Sequence, residues 1–221
     1  MYFLNVLETK GWYFLTTLLG GWPTTVKVAI GALLFALVFG LVIALLRLSR
    51  WRWLRVPAIA YIEFFRGTPL LVQLFVIYFG LPDADIEPTP LQAAIIGMGL
   101  NGGAYLAEIY RAGIEAIHRG QMEAALSLGM TPARAMQYII LPQAVRTMLP
   151  PITSFAIVML KDTAVISVIA APEIMFYARN LVTETLQSAV VYSMAGAVYL
   201  CMTIPMARLV ARLERSRRAW Q

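Results

Sequence analysis

Apolar and polar positions fall in long blocks along this chain. Apolar runs extend over about Pro23 to Leu46, Pro57 to Leu81, Leu91 to Ile114, Leu149 to Ala171 and Ala189 to Val210. A helix needs about 20 apolar residues to cross a hydrocarbon core. Five such runs predict an all-α polytopic membrane protein of about five transmembrane helices. Residues 1–20 are aromatic-rich but interrupted by Glu8 and Lys10. That stretch predicts an N-terminal interfacial helix leading into the first span.

The polar interruptions are as informative as the runs. The longest lies between the third and fourth spans, from Gly120 to Pro151. It predicts a short helix from Met122 to Leu128, a stop at Gly129 and a restart at Thr131-Pro132. A second helix over Ala133 to Ile140 is then closed by Leu141-Pro142. Within the second span, Arg66-Gly67-Thr68-Pro69 predicts a break at membrane depth, either as a packing kink with a Glu63/Arg66 pair or as a cavity wall. Asn101 sits mid-span beside Gly102 and Gly103, and Asp162 follows Lys161 in the fourth span. Ionisable groups at such depth face a partner or a pathway.

Composition sharpens this picture. Apolar residues make up 60% and charged residues 14% of the chain. The net charge is +6, but the cations cluster at the ends of the apolar runs. Of the 18 Lys and Arg, four follow the first span, four surround the long polar stretch and five, from Arg208 to Arg218, lie at the end of the fifth span and in the tail beyond it. The 82–90 connection, by contrast, holds three acids and no cation. By the positive-inside bias, five spans then run with the N-terminus out and the C-terminus in. This charge pattern points to anionic lipid and membrane orientation, not to nucleic acid. The expected division is an interfacial segment over 1–20, a transmembrane domain over 21–211 with a cytoplasmic loop at about 115–148, and a basic tail over 212–221.

The sequence carries little catalytic chemistry. It has no G-x-x-x-x-G-K-[ST] and no H-E-x-x-H. The single histidine, His118, falls in the polar stretch, and the single cysteine, Cys201, falls in an apolar run. Neither a catalytic set nor a metal-binding set is expected, and ATP has no P-loop to hold it.

Several blocks then carry a specific resemblance. Glu123-Ala124-Ala125, Gly129 and Ile140-Leu141-Pro142 resemble the EAA loop of type I ABC importer permeases. The block from Glu63 to Phe75 resembles the second-span signature of the polar amino acid permeases. The block from Asn101 to Ile114, Gly120-Gln121, Leu141-Pro142-Gln143-Ala144 and Lys161-Asp162-Thr163 do the same. The match spans about residues 22–210 in order. The chain is similar to the histidine/glutamine/arginine/glutamate-type permease family of the bacterial inner membrane.

The resemblance implies a multi-pass permease subunit that pairs with itself or a sister chain. Two cytoplasmic ABC ATPase subunits, which hold the ATP and magnesium, dock below. A periplasmic binding protein delivers an amino acid from outside. Glu123, Ala124, Ala125 and Gly129 are the expected ATPase-coupling residues, with the two alanines allowing close seating. An amino acid needs an anion for its ammonium and donors for its carboxylate. Asp162 is the candidate for the first; Asn101 and the Gly67-Thr68 backbone are candidates for the second. The alternative for Asp162 is a structural pair with Lys161 or Arg66. The chain departs from the family pattern at Ser154, Phe155 and Ala164. Phe155 lies two turns before Asp162 on the same helix face. This implies an apolar side-chain pocket and a neutral or partly apolar cargo, or else a sister subunit that does the selecting. The rival class is an ion-gradient-driven secondary transporter or channel using Glu63, Glu108 and Asp162. It leaves the long polar loop unexplained.

Overall fold

The computed structural model describes the backbone of residues 2–218 and the side chains of residues 3–212. Among the described residues every regular element is helical. The side chains of the basic tail expected over 212–221 fall outside them beyond Arg212, while its backbone continues α10 as far as Arg218. The helices are α1 (Tyr2–Gly20), α2 (Trp22–Arg47), α3 (Arg52–Gly67), α4 (Leu70–Phe75), α5 (Pro90–Glu115), α6 (Arg119–Ser127), α7 (Pro132–Ala135), α8 (Leu141–Asp162), α9 (Ile174–Thr185) and α10 (Ser188–Arg218). Three helical stretches are long and apolar enough to cross a membrane: Phe3–Arg47, Pro132–Ile169 and Ser188–Arg212. A fourth is broken, as α3 and the Leu70–Ala84 segment meet at 104°.

α5 is the centre of the molecule. At 26 residues it is about 39 Å long, enough to span. It is less apolar than the others because it buries small residues: Ala93, Ala94, Gly97, Gly99, Gly102, Gly103, Ala104 and Ala107. These let neighbouring backbones come close. A Cβ added at Gly40 of α2 would lie 2.8 Å from the Gly103 carbonyl oxygen of α5. The pair is therefore packed backbone to backbone. The main core joins Val28, Ala32 and Ala36 of α2 to Leu74, Met98, Leu106, Met159 and Ile166. α5 begins with a capping box in which Thr89 and Gln92 satisfy each other's backbone, followed by Pro90 at the first helical position.

Three expectations need adjustment. The N-terminal segment is a helix running almost directly into α2, and Phe14 and Leu18 are fully buried in a second core with α9 and α10. Its inner half thus packs on protein. The second helix of the polar stretch is not closed by Leu141-Pro142. A π-helical turn over Met136–Ile140 leads straight into α8. Pro142 stands in the first turn of α8, where a missing N–H costs nothing. The connection after the fourth span is also structured, because α9 fills most of it.

Glu173 organises that outer connection. It is fully buried and caps α9, its carboxylate accepting from the Phe176 N–H at 2.6 Å. Its other oxygen accepts from the Tyr199 hydroxyl of α10. The adjacent Ile174 N–H donates to Thr25 Oγ1 of α2 at 3.4 Å. Burial pushes the Glu173 carboxyl up to about 7, even though its hydrogen-bond donors favour the charged form.

Candidate functional site

The break in the second span builds a cavity. α3 ends at Gly67, Thr68 and Pro69 are extended, and α4 restarts at Leu70. The last carbonyls of α3 lose their helical donors there. Two side-chain amides replace them. Gln73 is 5% exposed, and its Nε2 donates to the Phe65 carbonyl at 2.9 Å, the Thr68 carbonyl at 3.1 Å and Thr68 Oγ1 at 2.8 Å. Asn101 Nδ2, from α5, donates to the Phe65 carbonyl at 3.0 Å and to Gln73 Oε1 at 3.1 Å. Thr68 Oγ1 in turn donates to the Phe64 carbonyl at 2.8 Å. The break is therefore a fixed feature with its backbone satisfied from two directions.

Beside it opens a cavity of about 520 Å³. Asp162, Asn101, Gly67, Thr68 and Phe155 all line this one cavity, together with Arg66, Tyr105 and Val158. Lys161 is exposed and is not among the cavity's lining residues, although its charge acts on the neighbouring Asp162. No ion pair joins Asp162 to Lys161 or Arg66 among the described residues. Asp162 closes α8, where the helix tightens to a 3₁₀ run over Thr163–Ile169. Thr163 Oγ1 donates back to the Leu160 carbonyl at 2.6 Å across that tightening.

The cavity's cation is Arg66. Its guanidinium carbon stands 5.4 Å from the Tyr105 ring centroid, and Tyr105 stacks on Phe155 at 5.6 Å. Behind it, Glu108 is 3.9 Å from Arg66, 2.9 Å from Arg111 and in close contact with Arg47. Arg111 also pairs with Glu115. Three arginines thus share two carboxylates. Arg66 has the longest contact and the most exposed side chain of the three. The surplus positive charge sits on the arginine that faces the cavity. Glu63 makes no ion pair with it. The sequence reading missed Gln73, Tyr105 and the cavity-facing role of Arg66. Tyr105 lies one turn from Asn101 on α5, Arg66 is adjacent to Gly67 on α3, and Gln73 lies on α4 across the break from Gly67 and Thr68.

The long polar stretch folds as a helical hairpin. His118 caps α6, its Nδ1 accepting from the Gly120 N–H at 3.1 Å. α6 ends at Gly129, whose φ of +81° is a left-handed conformation that favours glycine. The Met130 N–H returns to the Ala125 carbonyl at 3.1 Å and the Gly129 N–H to Leu126 at 2.9 Å, a Schellman-type close. Thr131 Oγ1 then accepts from the Arg134 N–H to start α7. The two alanines divide their work. Ala125 is buried with Ala135 and Ile140 inside the hairpin, whereas Glu123 and Ala124 face out. At the tip Leu128 is 84% exposed. It was detectable in sequence as an apolar residue in a polar stretch, directly before the glycine stop. Among the described residues, no cluster of three metal-ligating side chains occurs.

A bundle with a broken span, a polar cavity at the break and a rigid hairpin between spans defines a transporter's membrane subunit. The chain belongs to the family described as the binding-protein-dependent transport system inner membrane component, whose model matches residues 36–219. It is 40% identical over 212 residues to the octopine transport system permease OccM of Rhizobium radiobacter, covering 92% of this chain and 86% of that protein. It is 39% identical to a probable amino-acid ABC transporter permease of Sinorhizobium fredii, covering 89% and 85%. It is 34% identical to the glutamine transport system permease GlnP of Escherichia coli K12, covering 92% and 94%. Among solved structures, an amino acid ABC transporter crystallised with histidines superposes with a TM-score of 0.89 at 37% identity, covering 97% and 98%. The MetNI methionine transporter, at 20% identity and a TM-score of 0.76 over 90% and 95%, shares the fold. The chain is thus a multi-pass inner-membrane permease subunit of an ATP-driven ABC importer. ATP hydrolysis belongs to a partner subunit, and a binding protein belongs to the system. The ion-gradient alternative is not favoured.

Proposed function

We propose that this chain carries a neutral or partly apolar amino acid through the cavity beside the α3–α4 break. The observation that carries this reading is a charge arrangement. Asp162, a carboxylate with no ion-pair contact among the described residues, and Arg66, a guanidinium with surplus charge, line the same space. A zwitterion's ammonium and carboxylate match those two groups. The start of α4 at Leu70, just past Gly67 and Thr68, adds backbone N–H donors near the carboxylate end. Asn101 holds the break in place, its amide being occupied by Phe65 and Gln73. The stacked Tyr105 and Phe155 rings offer the cargo's side chain an apolar surface. Relatives named for octopine, glutamine and unspecified amino acids support the amino acid class.

In this reading five spans are α1–α2, the broken α3–α4 pair, α5, α8 and α10, with the N-terminus outside. The hairpin then lies in the cytoplasm. Its exposed face of Glu123, Ala124 and Leu128 seats in a groove of a dimeric ATPase, while Gly129 sets the turn and Ala125 holds the hairpin rigid. ATPase closure moves the hairpin as a lever and shifts the bundle between inward-open and outward-open arrangements. A second permease chain, identical or sister, completes the complex.

The test is uptake by proteoliposomes containing the permease, its ATPase and the binding protein, using a panel of labelled amino acids. ATP-dependent uptake of a neutral amino acid is expected, with Asp162→Asn lowering it by roughly 10–100-fold, the worth of one charged hydrogen bond. Uptake driven by an ion gradient without the ATPase would contradict the reading. So would a strong preference for arginine or lysine that disappears in Phe155→Ala.

A further inference from the structure

The corner between α2 and α3 is the most concentrated unpaired cationic surface among the described residues. α2 ends at Arg47, which is held by Glu108. The next three arginines, Arg50, Arg52 and Arg55, are all exposed, and none forms an ion pair among the described residues. No acidic residue occurs between Thr9 and Ile62, so no local carboxylate can neutralise them. Two tryptophans lie among them. Trp51 and Trp53 stack at 5.8 Å with an interplanar angle of 16°, yet they remain 51% and 69% exposed. The Arg50 guanidinium stands 5.7 Å from the Trp51 ring. α3 itself is amphipathic: Ala58 and Ile62 are buried against α2 and α5, while Arg52, Trp53, Arg55 and Val56 face outward.

Water alone is a poor environment for two stacked, exposed indoles, and acyl chains alone are a poor environment for three arginines. The boundary between them suits both, since indoles settle at headgroup depth and basic side chains attract anionic lipid. We infer that the α2–α3 corner binds the headgroup of an anionic phospholipid, with Arg50, Arg52 and Arg55 holding the phosphate and Trp51 and Trp53 seated beside it. The lipid thereby anchors the fixed end of α3, the helix whose other end forms the break. In the orientation proposed above this lipid belongs to the inner leaflet, but the headgroup seat itself is independent of the cargo.

The experiment reads lipid contact directly and needs no transport assay. In a Trp12→Phe, Trp22→Phe, Trp220→Phe background, Trp51 and Trp53 are the permease's remaining tryptophans, and the same complex with Trp51→Phe and Trp53→Phe added gives the ATPase and nanodisc-belt signal to subtract. The purified permease–ATPase complex is placed in phosphatidylcholine nanodiscs containing equal mole fractions of either brominated phosphatidylglycerol or brominated phosphatidylcholine. Phosphatidylglycerol is expected to quench several-fold more per molecule, since each arginine at the surface contributes about five-fold. The preference should shrink as salt rises and vanish in Arg50→Gln, Arg52→Gln, Arg55→Gln. Equal quenching by the two lipids, or a preference that survives the triple substitution, overturns the inference. So does loss of the ATPase from the triple variant with lipid preference intact, which would assign the corner to the partner protein.

Discussion

Asn101 Nδ2 reaches across 36 positions of sequence to the Phe65 carbonyl at 3.0 Å. A residue of the central helix thus holds open the break in its neighbour. Gln73 donates to the same carbonyl and to Thr68 as well. The Phe65 carbonyl keeps one donor when either amide is removed, but Asn101 is the donor to Gln73 Oε1 and Gln73 the donor to the Thr68 carbonyl, and each such loss costs about 1–3 kcal/mol. Gln73→Ala should destabilise the purified complex more than Asn101→Ala, because it takes the donor from both the Thr68 carbonyl and Thr68 Oγ1, whereas Asn101→Ala takes it from Gln73 Oε1 alone. Thermal denaturation of the two variants side by side checks that order.

In the proposed reading, Arg66 and Asp162, which line one cavity, take opposite ends of the cargo. Neutralising each should leave ATPase assembly intact and lower uptake for different reasons. Asp162→Asn should weaken selection for a free ammonium, so N-acetylated amino acids compete better than against wild type. Arg66→Gln should do the same for carboxyl-amidated ones. Competition against labelled substrate in proteoliposomes distinguishes the two. Identical competition profiles for the two variants would contradict the assignment.

Glu173 gives the outer connection a pH dependence. Burial pushes its carboxyl up to about 7 from an ordinary 4.5, so the folded state holds the proton more tightly. Stability from this group is therefore complete below about pH 4.5, is lost as pH rises toward 7, and is flat above. The span corresponds to about 3 kcal/mol. Glu173→Gln should flatten this segment of a stability–pH curve, since the amide cannot ionise and still accepts from the Phe176 N–H.

Gly129 sets the hairpin's turn at φ +81°. Gly129→Val should strain that turn by at least about 1 kcal/mol, the cost a side chain incurs in the left-handed region. Uptake should fall while the spans fold normally. ATP hydrolysis that continues without transport would show that the lever, and not the bundle, was damaged.

Much of this architecture is legible in sequence because the membrane makes block length a direct signal. The Gly67-Thr68-Pro69 break, the Gly129 stop and the Thr131 restart are all local chemistry, and each stands where its residues predict. The tertiary choices are less visible. Leu141-Pro142 looks like a terminator, but a proline in a helix's first turn needs no N–H. Ala124 and Ala125 look equivalent until the hairpin folds and buries only one. Asn101 looks like a ligand in sequence because its nearest partners, Phe65 and Gln73, are 36 and 28 positions away. Phe14 and Leu18 are buried only because α9 and α10 return to cover them.

The central claim is that energy enters this chain through the hairpin of α6 and α7. Affinity purification of the tagged permease, with the co-purifying ATPase quantified, tests it most directly. Wild type should retain the ATPase stoichiometrically. Glu123→Arg and Leu128→Asp, both on the exposed face, should each lose most of it, while Gln137→Ala in the second half of the hairpin keeps it. Full retention of the ATPase in both Glu123→Arg and Leu128→Asp would contradict the account.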